Sequence, residues 1–140
     1  MISKQQYLGI HSKSPDLTAV RLANIDLLLQ SVNRLMMLGI KEGIIFATNK
    51  NTGSQISGET FGGFRPQSCS IGAPKSAHKE GLAVDIYDPL EIIDNWLKTS
   101  SAARDLYEQL GLYFEHPDYT RGWSHWGLKK PASGNRFFKP

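Results

Sequence analysis

A short apolar strand that carries an acidic residue constrains the fold of this chain more than any other feature. The segment Leu82-Ala-Val-Asp-Ile-Tyr87 alternates like a half-buried strand, with Val84 and Ile86 on one face and Asp85 on the other. A carboxylate is costly to bury unless it is paired with another charge or bound to a metal ion. We therefore expect Asp85 to have such a partner.

The predicted elements around this strand indicate an α+β fold. A helix is predicted over about 15–38, capped by Ser14 and ended by Gly39. The other predicted elements are a buried strand over 43–47, loops over 49–76, a helix starting at Asp88 with Leu90, Ile93, Trp96 and Leu97 as its core face, a helix over about 102–110, and strands over 112–115 and 123–126. We expect a small antiparallel sheet that carries the functional site, with helices mainly on one side.

Length and composition predict one domain over residues 1–140. The one cysteine, Cys69, cannot form an internal disulfide and is expected to be a small core residue. The net charge is +3, but the basic residues are scattered and no nucleic-acid-binding motif accompanies them, so we expect no nucleic-acid partner. A monomer is expected.

No apolar run is long enough to span a membrane, and residues 1–14 lack the apolar stretch of a signal peptide. We therefore expect synthesis in the cytoplasm as a soluble protein without a signal peptide.

Three side chains, His78, Asp85 and His125, are the candidate metal ligands. Imidazole and carboxylate groups bind zinc, and three protein ligands leave a fourth position for water, as in catalytic sites. His78 lies seven residues before Asp85, a span of roughly 23 Å if extended, so the chain must fold back between them, and Gly81 suits that turn. His125 arrives from a C-terminal hairpin.

Each of these residues also has an ordinary alternative. A lone histidine is usually a surface or hydrogen-bonded residue, and a strand aspartate can pair with an arginine or cap the following helix. Two histidines and one carboxylate also form the facial triad of non-haem iron oxygenases. Those sites usually hold the carboxylate and one histidine close together on one strand, unlike the separation here, so we favour zinc.

The segments around these residues resemble a known family. Ser76-Ala-His-Lys-Glu-Gly-Leu-Ala-Val-Asp85 matches S-x-H-x-x-G-x-A-x-D, the signature of the zinc D-Ala-D-Ala carboxypeptidases, which include phage endolysins and are related to hedgehog-type zinc domains. Gly63-Phe-Arg-Pro66 and Gly122-Trp-Ser-His125 resemble the flanking G-[YF]-R-[PS] and W-x-H segments. The resemblance covers roughly residues 44–138 and looks closest to a phage-associated branch, whose C-terminal pattern matches Glu115, Pro117, Thr120, Gly122, Trp123, His125, Pro131, Ser133, Gly134, Arg136, Phe138 and Pro140.

The resemblance implies that His78, Asp85 and His125 bind Zn²⁺, and that Arg65 and Ser76 contact the substrate. The implied activity is zinc-dependent hydrolysis of peptide bonds in bacterial cell-wall (murein) peptides that contain D-amino acids. Carboxypeptidase and endopeptidase activities both fit. Such a protein would act on the wall after release from the cell or as a component of a virion.

The chain departs from the family at Gly122, where many members carry an acidic general base. A hairpin centred near Thr120 would place Glu115 opposite His125 on the same sheet face, with Cβ atoms about 4.5–5.5 Å apart. Glu115 is therefore the predicted general base, whereas His116 and Asp118 lie nearer the turn. If no residue serves as the base, the alternative function is a non-catalytic, zinc-containing murein-binding module. Aromatic residues that line the cleft or belong to the core are Tyr87, Trp123 and Trp126.

Overall fold

The computed structural model describes all 140 residues. Helices pack against a four-stranded sheet. The helices are α1 (Lys4–Leu8), α2 (Ala19–Lys41), α3 (Ile93–Thr99) and α4 (Ser101–Leu110), and the strands are β1 (Ala83–Tyr87), β2 (Tyr113–Glu115), β3 (Trp123–Gly127) and β4 (Phe137–Phe138). The predicted α+β class is confirmed. No helix of the chain is both long enough and apolar enough to cross a membrane.

The sheet has the strand order β1-β3-β2-β4 and is mixed, which corrects the prediction of an antiparallel sheet. Strand β3 is antiparallel to both β1 and β2, whereas β4 runs parallel to β2. The two-residue strand β4 is too short to show any alternation in the sequence. It is defined only by its hydrogen bonds with β2, from Phe114 N to Arg136 O and from His116 N to Phe138 O.

One face of the sheet forms part of the hydrophobic core. Val84 and Ile86 of β1, Phe114 of β2 and Trp126 of β3 are fully buried on this face. They belong to one cluster of 21 buried residues, which also contains buried hydrophobic side chains from all four helices. The opposite face carries Asp85 and is free to form a site.

Helix α2 begins and ends later than predicted. Thr18 caps it by accepting a hydrogen bond from Arg21 N, while Ser14 instead accepts one from Asp16 N in the preceding turn. Gly39 lies inside the helix and does not end it. A Cβ atom there would lie 2.8 Å from the Phe46 ring, so glycine allows these elements to approach closely.

Two further predictions were wrong. Residues 43–47 form no strand, and Ile45 is 78% exposed, although Phe46 does pack against core tryptophans. Helix α3 begins at Ile93, several residues after Asp88, because the Asp88 carboxylate accepts hydrogen bonds from the Ile92 and Ile93 backbone. Leu90 therefore precedes the helix.

The remaining core predictions have mixed outcomes. Leu90 is exposed, whereas the other three residues of the predicted core face, Ile93, Trp96 and Leu97, are buried. Cys69 is half-buried in a loop and does not belong to the core, which corrects that prediction. The predicted loops over 49–76 contain no helix or strand, as expected.

Replacement of Gly39 by Ala tests the close packing of α2. Alanine favours helix by about 1 kcal/mol over glycine, but the added Cβ would force Phe46 and Trp96 to move, which typically costs about 1–3 kcal/mol. We expect Gly39→Ala to lower the free energy of unfolding, measured in urea. Gly58→Ala, where a Cβ meets open space, is the control and should change it by less than about 0.5 kcal/mol. A Gly39→Ala protein more stable than the wild type would contradict this packing.

Candidate metal centre

Three polar residues form a row across the sheet face that points away from the core. Asp85 of β1 pairs with His125 of β3. Strands β2 and β3 pair Tyr113 with Gly127 and Phe114 with Trp126, so the next position along places Glu115 on the other side of His125. This is the register predicted from a hairpin centred near Thr120. A Glu115 Oε2–His125 Nδ1 distance of 3.9 Å agrees with it.

A glycine turn brings His78 to the end of this row. Gly81 has a φ of +73°, and the backbone folds back through a hydrogen bond from Leu82 N to Ala77 O. A Cβ on Gly81 would also lie 2.8 Å from Ile25 of α2, so both the turn and its packing require glycine. The predicted reversal between His78 and Asp85 is therefore present.

The side chains of His78, Asp85 and His125 form a buried group that can hold a metal ion. One donor atom from each residue lies within 4.8 Å of the other two. Asp85 Oδ1 is 3.2 Å from His78 Nε2 and 2.8 Å from His125 Nδ1. Two ligands at the usual zinc distances lie about 3.4 Å apart in a tetrahedral site, which is close to both of these separations.

The orientation of the His78 ring is fixed by the backbone. His78 Nδ1 donates a hydrogen bond of 2.8 Å to Gly63 O, and since a carbonyl oxygen can only accept, the proton must be on Nδ1. The lone pair of Nε2 then faces Asp85. Metal-binding histidines commonly donate their second nitrogen in this way, which fixes both tautomer and ring position.

Tyr7 of α1 supports the backbone of the site through hydrogen bonds, a role that the sequence did not reveal. Its hydroxyl donates to Ala83 O of β1 at 2.9 Å, and its carbonyl accepts from Phe64 N at 3.3 Å. A Cβ on Gly63 would lie 2.0 Å from Tyr7 O, so only glycine fits there. Burial raises the pKa of Tyr7 far above its usual range, which keeps the phenol protonated as a donor.

Arg65 contacts the Asp85 carboxylate directly. Its Nη2 lies 3.3 Å from Asp85 Oδ2, while its Nε donates to Phe61 O at 2.8 Å. The two oxygens of Asp85 are thus divided between the histidines and the arginine. From the sequence alone, an ion pair with an arginine is an alternative to metal binding by Asp85. In the structure, Asp85 forms this ion pair and also belongs to the candidate metal-binding group.

The electrostatics of the group favour the protonation states that bind metal. Burial lowers the pKa of His78, which favours its neutral form. Burial alone would raise the pKa of Asp85, but the positive charge and hydrogen bonds that the His78 and His125 rings supply when protonated outweigh burial and hold that pKa well below the usual range. Neutral imidazole and ionised carboxylate are the forms that coordinate a metal ion.

The candidate metal-binding group, His78, Asp85 and His125, opens into a cleft of about 460 Å³. Among the residues that line it are all six predicted site residues: Arg65, Ser76, His78, Asp85, Glu115 and His125. Burial raises the pKa of Glu115, whose side chain is 20% exposed. Trp123 also lines the cleft, whereas Trp126 lies in the core on the other face of the sheet, and Tyr87 is not part of the lining.

The other candidate bases lie away from this cleft. His116 Nδ1 accepts a hydrogen bond from Asp118 N at 3.2 Å, and both residues belong to the turn between β2 and β3. Neither side chain lines the cleft. Of the three acidic or imidazole groups considered from the sequence, only Glu115 is close to the metal-binding group.

A buried lysine holds one wall of the cleft and was also missed in the sequence. Lys79 is 4% exposed, and its Nζ donates to Cys69 O at 2.7 Å and to Gly72 O at 3.3 Å. Ser76 Oγ accepts a long hydrogen bond from Lys79 N. Lys79 therefore fastens the loop that carries Gly72 and Ser76 along the cleft. An isolated Lys-Glu pair in the S-x-H-x-x-G segment looks like a solvated surface, so no sequence signal pointed to this burial.

Comparisons with known proteins found no matching family model, no matching curated protein and no matching solved structure.

Metal addition tests the three-ligand group. A ligand that binds only the folded state at 100 times its Kd adds about 2.7 kcal/mol of stability, so we expect Zn²⁺ to raise Tm by at least about 5 °C. His78→Ala should abolish this rise. His116→Ala, whose imidazole lies outside the cleft, should retain it. The same rise in both variants, measured by differential scanning fluorimetry, would show that the metal binds elsewhere.

Proposed function

We propose that this protein is a zinc-dependent peptidase that cleaves bacterial cell-wall peptides containing D-amino acids. The observation that carries the proposal is the arrangement of a buried three-ligand group, His78, Asp85 and His125, beside the carboxylate of Glu115 in one open cleft. The resemblance to the zinc D-Ala-D-Ala carboxypeptidases supports the metal and the substrate class. Either a carboxypeptidase or an endopeptidase agrees with this arrangement.

Zinc fits the donor set, since two imidazoles and one carboxylate leave a coordination position for catalysis. The chemistry that zinc supplies in such a site is Lewis acidity, which acidifies water and polarises a carbonyl group. His78 Nε2 and His125 Nδ1 both lie close to Asp85 Oδ1, and Arg65 orients that carboxylate through Oδ2. Separate elements thus fix each ligand before any substrate enters.

Glu115 supplies the general base in this mechanism. Its carboxylate accepts the proton of the attacking water and returns it to the leaving amine. Partial burial, which raises the pKa of Glu115, makes the carboxylate a stronger base than an exposed one. Arg65 and Ser76 also line the cleft and would hold the peptide, with the guanidinium suited to a carboxylate or carbonyl.

The alternative of a non-catalytic murein-binding module rests on Gly122, which has no side chain to act as a base. The position of Glu115 favours the enzyme over this alternative, because its carboxylate lies 3.9 Å from His125 Nδ1, beside the candidate metal ligands. Access to the cell wall would follow release from the cell or assembly into a virion.

Mass spectrometry of purified murein fragments after incubation with the zinc-loaded protein tests the activity. The wild type should release D-alanine or shorter peptides, and the mass of the product identifies the bond. His78→Ala should give no product. Binding of fragments by the wild type without any cleavage would favour the murein-binding module.

Replacement of Glu115 by Gln tests the general base. The variant keeps a side chain of similar size, so we expect full zinc content, measured by atomic absorption. Its kcat should fall about 10²- to 10⁴-fold, as expected when a base is lost. Asp118→Asn, a matched acid-to-amide change outside the cleft, should leave kcat unchanged. Glu115→Gln with wild-type kcat would assign the proton transfer to another group.

A further inference from the structure

The cleft extends beyond the metal-binding group to a basic rim. Two loops form this rim: residues 75–77 carry Lys75, and residues 129–132 carry Lys129 and Lys130. Lys129 Nζ donates to Lys75 O, so the two loops are fastened to each other. Both loops therefore line the same cleft and are joined by a hydrogen bond.

Of the three lysines on the rim, only one forms an ion pair with an acidic side chain. Lys129 Nζ lies 3.1 Å from Glu80 Oε2, which neutralises it. Lys75 and Lys130 form no ion pair with any acidic side chain of the chain. The acidic residues of the cleft, Asp85 and Glu115, belong to the metal end.

We propose that Lys75 and Lys130 form a cationic subsite that binds a carboxylate of an acidic peptide substrate. The inference rests on the proposed peptidase function, since it assigns the chemistry of the substrate part that lies beyond the scissile bond. Like charges on the wall of a partly enclosed cleft raise the local concentration of an oppositely charged group. The bound carboxylate can belong to the peptide C-terminus or to an acidic side chain, because lysine ammonium groups on flexible side chains can adjust to either.

Three forms of one murein stem peptide distinguish these origins: all carboxylates free, only the C-terminus amidated, and only the side-chain carboxylates amidated. With the zinc-loaded protein, we expect one of the amidated forms to lose about three- to tenfold in kcat/KM, mainly through KM, because exposed ion pairs are weak. The form that loses activity identifies which carboxylate is bound.

The double variant Lys75→Gln/Lys130→Gln should lose the same factor on the free peptide and no longer distinguish the three forms. Lys13→Gln/Lys50→Gln removes the same charge from exposed lysines outside the cleft and is the matched control. It should discriminate between the peptides as the wild type does. An equal loss in both double variants would reduce the effect to net charge and overturn the subsite.

Binding measurements separate failure of the subsite from failure of the proposed function. The Kd of each peptide is measured by calorimetry with zinc-loaded Glu115→Gln protein, with and without the two lysine substitutions. If the wild type cleaves no peptide but Kd still depends on the carboxylate and on Lys75 and Lys130, the subsite holds and the peptidase proposal fails. Equal Kd values for all three peptides would overturn the subsite even if the peptides are cleaved.

Discussion

The rest of the site depends on the interactions of one buried carboxylate, that of Asp85. One of its oxygens faces His78 and His125, and the other faces Arg65. A charge in this position is tolerated only because these partners surround it, and the loss of any one of them would reduce that compensation. The structure around it can be understood as the scaffold that delivers these partners.

That scaffold draws on distant parts of the chain. His125 arrives on a neighbouring strand, His78 on a glycine turn packed against α2, and Arg65 on a loop whose backbone is held by Tyr7. The resemblance to zinc carboxypeptidases covers roughly residues 44–138, yet Tyr7 lies outside it. The N-terminal helix is thus part of the support of the site, although it contributes no ligand.

The features that could be predicted from the sequence rest on local rules. The two-residue period of β1 places Asp85 on one face, Gly81 allows the reversal to His78, and the hairpin length sets the pairing of β2 with β3. Those features supported His78, Asp85, His125 and Glu115 as candidates, whereas Arg65 and Ser76 followed from the family resemblance alone. Other features depend on contacts between residues far apart in sequence and left no local pattern. Gly39 resembles a helix stop until Phe46 and Trp96 are seen beside it. Likewise, the pairing of β4 and the burial of Lys79 follow only from the completed fold.

The row formed by Asp85, His125 and Glu115 has a consequence for how the protein reaches its native state. Side chains alternate between the two faces of a strand, so a shift of β3 by one residue would replace His125 with Ser124 or Trp126 at the metal-binding position. Neither replacement is a zinc ligand. A chain with misaligned strands would therefore bind the ion poorly, and a bound ion would favour the aligned pairing. Metal binding would in this way stabilise the native register of β1 and β3 relative to registers shifted by one residue.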